Sequence, residues 1–262
     1  MRNHFQVDNL DVYIHPDRKS MGADCAKQAC GVMRRRLEEK DELNIIFASA
    51  PSQDALFEAL ANEPGIAWDR VNAFHMDEYI GVGVDQPQSF ANYLKDGFFS
   101  QVSFKNVFYM DGLAEDPEAE CKRYRDLLVR YPTDIAFMGI GENGHIAFND
   151  PHIADFFDPD LVIVNGCLDA KCREQQVADG WFESIGEVPG SAITVSVYGL
   201  LKAPYIFTTV PGIRKAEIVR TCLEGLVCTE CPATAIRLHR NSKLFLDADS
   251  SSLLCETLLK GR

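Results

Sequence analysis

Ile135-Ala-Phe-Met138 runs straight into Gly139-Ile-Gly-Glu-Asn-Gly-His-Ile-Ala-Phe-Asn-Asp150. An unbroken apolar run of this length reads as a short strand covered on both faces, as in a parallel sheet. The glycines at 139, 141 and 144 let the backbone turn sharply at its end and approach a ligand closely. A strand that stops in such a loop is the repeating unit of an α/β sheet with ligands at its carboxyl edge.

The same alternation extends both ways from this stretch. Met21, Cys25, Ala29, Met33 and Leu37 recur at steps of four and predict an amphipathic helix over 18–40. Ile45 to Ala48 predicts a buried strand, and Gln53 to Asn62 a helix. Val71 to His75 then reads as strand, Pro87 to Ser100 as helix, and Asp116 to Arg130 as helix. Beyond the central stretch come strands at Ala192 to Val197, Tyr205 to Val210 and Lys243 to Leu246, with a helix from Arg214 to Leu223. Strands alternating with helices imply a mostly parallel central sheet with helices on both faces, a Rossmann-like α/β fold. No linker and no internal repeat divides the chain, so one domain over 1–262 is expected.

The 262 residues are 46% hydrophobic and 25% charged, ordinary for a packed enzyme-sized protein. A formal net charge of -13 argues against a nucleic-acid partner, because backbone affinity needs clustered Lys and Arg. It leaves room for a small phosphorylated ligand held by a few local donors. Met1 to Leu10 lacks a basic region followed by an apolar run, so no secretory signal is expected. No apolar stretch is long enough to span a bilayer. Nine cysteines without framework spacing fit a reducing, cytoplasmic setting.

The strand ends select the chemistry. After Met138, His145 has neutral-pH acid–base character and sits among Glu142, Asn143, Asn149 and Asp150; it reads either as a proton-transfer residue or as a structurally bonded histidine. After His75, Asp77 and Glu78 are adjacent, so at most one is expected to face a given ligand, and an acidic loop in water is the bland alternative. Ser49 and Ser52 follow the first strand where a phosphate would meet a helix start, although an N-cap at Ser52 explains them almost as well. Arg214 and Lys215 stand at another helix start, where the dipole disfavours cations; an anionic ligand or plain solvation accounts for them. Cys228 and Cys231 have metal-like spacing with His239 following, but no second pair completes a set and no metal is expected. Trp68 and Trp181 read as core or pocket wall.

Met76-Asp-Glu-Tyr79 and Gly141-Glu-Asn-Gly-His-Ile-Ala-Phe-Asn-Asp-Pro151 together resemble the two signatures of the glucosamine-6-phosphate deaminase/isomerase family, which shares its fold with the 6-phosphogluconolactonases. Gln86 to Phe90 and Gly212 to Ala216 extend the resemblance over most of the chain. It implies conversion of glucosamine 6-phosphate to fructose 6-phosphate and ammonia in amino-sugar catabolism, with no metal or organic cofactor. The alternatives are an isomerase or lactonase for another sugar phosphate, or a non-catalytic sugar-phosphate sensor. By motif position, Asp77 would move a proton between C2 and C1, and His145 would assist ring opening. Asp150 stands where the family has a Glu that supports the histidine; Asn143, in the candidate catalytic set, stands where the family has Asp and supplies no charge to the imidazole, so either Asp150 or Glu142 takes that role or the histidine works at a lower pKa. Ser52 and Lys215 match phosphate-binding positions. The family's phosphate-binding Arg aligns near Ala178, making Arg173 the nearest replacement, and Glu78, Gly141 and Gly144 complete the candidate substrate-binding set. Assembly as a homo-oligomer is left open.

Overall fold

The computed structural model describes residues 4–260; Met1 to Asn3, part of the stretch read for a secretory signal, lie outside the described residues. The chain opens with strands β1 (His4–Val7) and β2 (Leu10–Ile14), helix α1 (Arg18–Glu39), β3 (Leu43–Phe47) and α2 (Asp54–Asn62). Next come β4 (Val71–His75), β5 (Asp77–Tyr79), α3 (Phe90–Gly97), β6 (Asn106–Phe108), α4 (Pro117–Arg130) and β7 (Ile135–Met138). The remainder is β8 (Val162–Asn165), α5 (Ala170–Ala178), β9 (Ala192–Val195), α6 (Val197–Leu201), β10 (Tyr205–Val210), α7 (Ala216–Glu224), β11 (Ser242–Leu246) and α8 (Glu256–Lys260).

An 8-stranded sheet has the order β1-β2-β11-β10-β7-β3-β4-β6, parallel throughout except for the β1–β2 hairpin. Every residue of β3, β4 and β7 is buried, Asn44, Asn72 and His75 included, as befits central strands of a sheet covered on both faces. The pleat sends Ile45, Phe47, Ile135 and Phe137 into one core with α1 and α2, and Ile46, Ala136 and Met138 into another with α4 and α7. The mostly parallel α/β sheet read from the sequence is the observed one. The chain runs outward through β3, β4 and β6, then returns to place β7 on the other side of β3. A crevice therefore opens between β3 and β7 at their carboxyl ends.

Several boundaries differ from expectation for local reasons. The helix expected over Pro87 to Ser100 is restricted to Phe90–Gly97, because Ser89 accepts the Asn92 N–H as N-cap and Phe98 leaves helical geometry. The strand expected to reach Val197 stops at Val195, since Ser196 caps α6. A 3-10 turn over Ile213–Lys215 precedes α7. Asp77 and Glu78 are not in a solvated loop: both are buried on β5, which joins β9 and β8 in a separate antiparallel sheet of three strands.

Candidate active site

A cavity of about 430 Å³ lies over the carboxyl ends of β4, β3, β7, β10 and β11, across the crevice between β3 and β7. Its wall includes Asp77, His145, Ser49, Ser52 and Lys215, supplied by the segments that follow neighbouring strands of the main sheet, with Asp77 at the start of β5. The antiparallel sheet fixes the two signature segments to each other. Val195 donates its N–H to Met76 O at 2.7 Å, Thr194 Oγ1 accepts the Phe148 N–H at 3.1 Å, and Asn149 Nδ2 donates to Val195 O at 2.9 Å. Asp77 and His145 are thus held against one frame although 68 positions separate 77 from 145.

His145 is buried, and its Nδ1 stands 2.6 Å from Asn143 Oδ1. The amide of Asn143 has only one sensible orientation. Its Nδ2 donates to Asp150 Oδ1 at 2.9 Å and to Asp169 Oδ1 at 3.1 Å, so Oδ1 must face the imidazole. An oxygen there requires hydrogen on Nδ1, which leaves the lone pair on Nε2, the ring nitrogen without a hydrogen-bond partner among the described residues. Burial lowers the pKa of His145 to about 4 and Lys215 pushes the same way, while Asp150 and Asp169 pull against them. The ring is therefore a neutral base near pH 7. Gly141 lies directly beneath it: a Cβ there would come within 2.1 Å of Cε1, so only glycine lets the ring lie flat.

Asn143 and Asp150 do not line the cavity; they form its backing. Asp150 Oδ2 accepts from Asn165 Nδ2 at 3.1 Å and from the Asp169 N–H at 2.9 Å, so both oxygens are taken by N–H donors. Gly144 is also turned away. With φ at +89° it closes the loop, its carbonyl accepts the Ala233 N–H at 2.8 Å, and its Cα faces Cys231.

Asp77 and Glu78 diverge as neighbours on a strand must. Glu78 points from the cavity and accepts from Ser89 Oγ at 2.7 Å and from the N–H groups of Tyr79, Phe90 and Ala91, capping the start of α3. Asp77 lines the cavity, is 7% exposed, and among the described residues receives no side-chain hydrogen bond. Burial, then the charge of Glu78, drives its pKa well above the ordinary carboxylate range.

The opposite end of the cavity suits an anion. Lys215 is buried with Nζ 3.0 Å from the neutral Gln175 Oε1, and among the described residues no carboxylate forms an ion pair with it. Burial lowers its pKa to about 8. Ser49 Oγ is buried without a partner, and Ser52 Oγ accepts from Gln53 Nε2 at 3.0 Å. Arg214 is committed to Asp179 and to Glu142, the latter at 3.4 Å. Arg173 does not reach the cavity: its guanidinium donates to Ile185 O at 2.6 Å and Val188 O at 2.9 Å. Helical phase explains this, since Gln175, Gln176 and Asp179 form the cavity-facing stripe of the α5 segment and Arg173 is rotated off it.

Sequence reasoning missed Asp169, Gln175, Asn165 and Thr194. Asp169 precedes α5 and accepts the Lys171 N–H at 2.9 Å, so the N-cap pattern could have located it. Gln175 and Asn165 carry no such signal. Among the described residues, His145, Asp150 and Cys172 are the only group that could gather on a metal, their ligand atoms within 4.8 Å of one another. The N–H donors already on both Asp150 oxygens oppose that use. Cys228 and Cys231 do not gather with His239 into such a group. No helix among the described residues is long and apolar enough to cross a membrane.

The family model for glucosamine-6-phosphate isomerases/6-phosphogluconolactonase matches residues 16–246. A glucosamine-6-phosphate deaminase of Exiguobacterium sp. is 30% identical over 242 residues, covering 90% of each chain. One from Bacillus cereus is 33% identical over 189 residues, or 72% of this chain and 70% of that protein. Among solved structures, a monomeric glucosamine-6-phosphate deaminase matches with a TM-score of 0.83 at 28% identity, covering 92% of this chain and 99% of that one. A 6-phosphogluconolactonase from Thermotoga maritima matches in fold, with a TM-score of 0.73 at 21% identity over 90% of this chain and 98% of its own. With its matched region spanning six of the eight strands of the main sheet and both signature segments, the chain belongs to the glucosamine-6-phosphate isomerase/6-phosphogluconolactonase family.

Proposed function

We propose that the protein is a cytoplasmic glucosamine-6-phosphate deaminase, yielding fructose 6-phosphate and ammonia in amino-sugar catabolism. The observation that carries this reading is that one cavity holds an unpartnered carboxyl, Asp77, a neutral imidazole, His145, and an ammonium without a counter-ion, Lys215. The deaminase relatives give the substrate.

In this reading Nε2 of His145 takes the proton of the C1 hydroxyl and passes it to the ring oxygen as the C1–O bond of the pyranose breaks and the aldehyde forms. Asp77 then removes the C2 proton and returns it to C1. The C2–nitrogen bond becomes an imine, and water replaces the nitrogen to leave the ketone and ammonia. A carboxyl with a raised pKa is a strong base once ionised, but it must first be ionised. An amino sugar supplies the remedy, because its C2 ammonium arrives beside Asp77 and favours the carboxylate. Asn143 and Asp150 act through His145 by fixing its tautomer, and Gly141 gives the ring room. Lys215, Ser49 and Ser52 receive the phosphate.

Ammonia and fructose 6-phosphate released from glucosamine 6-phosphate are to be measured for the wild type and Asp77→Asn. Turnover well above that variant is expected. Wild-type activity at the variant's level, with turnover of 6-phosphogluconolactone instead, would assign the lactonase reaction.

A further inference from the structure

The anion end of the cavity holds one buried cation, Lys215, while Arg214 is neutralised by Asp179 and Glu142 and Arg173 faces elsewhere. The remaining cation on its wall is Arg18. We propose that Arg18 is a phosphate-binding residue, closing on the ligand opposite Lys215 and above the Ser49–Ser52 turn; this rests on the sugar-phosphate reading of the same cavity.

Arg18 is the first residue of α1, next to the N-cap Asp17, whose Oδ1 is taken up by the Ser20 N–H at 2.7 Å and the Ser20 hydroxyl at 3.0 Å. Its ion-pair partner is Asp54, at a long 3.5 Å, and the other oxygen of Asp54 already accepts from the Tyr93 hydroxyl. Asp249, which also lines the cavity, makes no ion pair with Arg18. The guanidinium is thus held on the cavity wall by one long ion pair, which leaves its remaining N–H groups for a ligand.

The packing holds it over the turn. Gly22, one helical turn on and on the same face, lies so close to α2 that a Cβ would come within 2.5 Å of the Ala55 carbonyl. This contact presses the start of α1 against the start of α2, directly after Ser49 to Gln53. An independent pointer to an anion here is Ser49 Oγ, 9% exposed, on the cavity wall and without a hydrogen-bond partner among the described residues. A planar fork at Arg18, a point charge at Lys215 and a serine hydroxyl match the oxygens of a monoester phosphate.

The test compares wild type, Arg18→Ala and Arg18→Lys by steady-state kinetics on glucosamine 6-phosphate and by calorimetric titration with inorganic phosphate. Arg18→Ala is expected to raise KM by about 10- to 100-fold with kcat within about threefold, and to weaken phosphate binding by a similar factor. Arg18→Lys should recover part of the loss, since charge returns without the fork. Because the side chain is half-exposed, melting temperatures close to wild type are expected and will show that folding is intact. Unchanged KM and unchanged phosphate affinity in folded Arg18→Ala would overturn the assignment while leaving the deaminase reading in place. Should the wild type fail to turn over glucosamine 6-phosphate, the deaminase reading falls, and the phosphate titration still decides Arg18: equal binding by wild type and Arg18→Ala overturns it.

Discussion

Two carboxyls occupy consecutive positions on β5, and the regions they face treat them differently. On the side of α3, Glu78 is met by one hydroxyl and three backbone N–H groups. On the cavity side Asp77 is also buried, at 7% exposed against 1% for Glu78, and its carboxyl meets none among the described residues. Burial raises the pKa of both, but only at Glu78 do hydrogen bonds pull it back. A buried polar group that is satisfied supports the fold, whereas one left unsatisfied stores free energy that a ligand can release. Lys215 repeats the Asp77 pattern with the opposite charge, having a neutral amide where a carboxylate would stabilise it.

The largest expected effect breaks the comparison at Asp77. Asp77→Asn removes the base and should lower kcat by about 10³-fold, within the usual span for a lost general base. Because the carboxyl is buried without compensation, the same change should leave the urea midpoint equal or higher. A kcat loss accompanied by a marked fall in that midpoint would show that Asp77 is structural after all. Lys215→Met tests the cationic counterpart. KM should rise about 100-fold, while the ligand-free protein gains on the order of 1 kcal/mol from losing a buried ammonium.

Glu78→Gln should show the reverse. Its carboxylate caps α3, so stability should fall by about 1–3 kcal/mol, while kcat of the remaining folded enzyme stays within a few-fold of wild type. Paired denaturation and initial-rate measurements give both numbers. A kcat loss as large as that of Asp77→Asn would place Glu78 in the chemistry and erase the distinction.

The strands of the main sheet were legible because β7 is an apolar run and β3, β4 and β10 are short segments rich in apolar, β-branched and aromatic residues. β5 was not, because Asp-Glu-Tyr becomes a buried strand only by pairing with β9, far along the chain. The same limit governs the site. Asp77, His145 and Lys215 could be picked out because each follows a readable strand, and the structure brings all three to one cavity. Arg173 was chosen by proximity in sequence, which says nothing about helical phase. Asp169 and Gln175 act by long-range hydrogen bonds to Asn143 and Lys215, and no local pattern encodes such pairings.

The smallest effect concerns the other unsaturated group, His145, and appears in stability against pH. Its pKa in the folded protein is about 4, below the ordinary 6.5, because burial opposes the imidazolium. Between those values the unfolded chain binds a proton that the folded one refuses. Stability therefore falls as the pH drops from 6.5 toward 4. Between pH 7 and pH 5 this amounts to a loss on the order of 2 kcal/mol for this residue. Urea unfolding of wild type and His145→Asn at both pH values isolates it, since other titrating groups are common to the two proteins. The wild type should lose more stability on acidification than the variant. Equal losses would mean that the ring accepts its proton in the folded state with ordinary ease, and that Asn143 oxygen does not hold it in the neutral form.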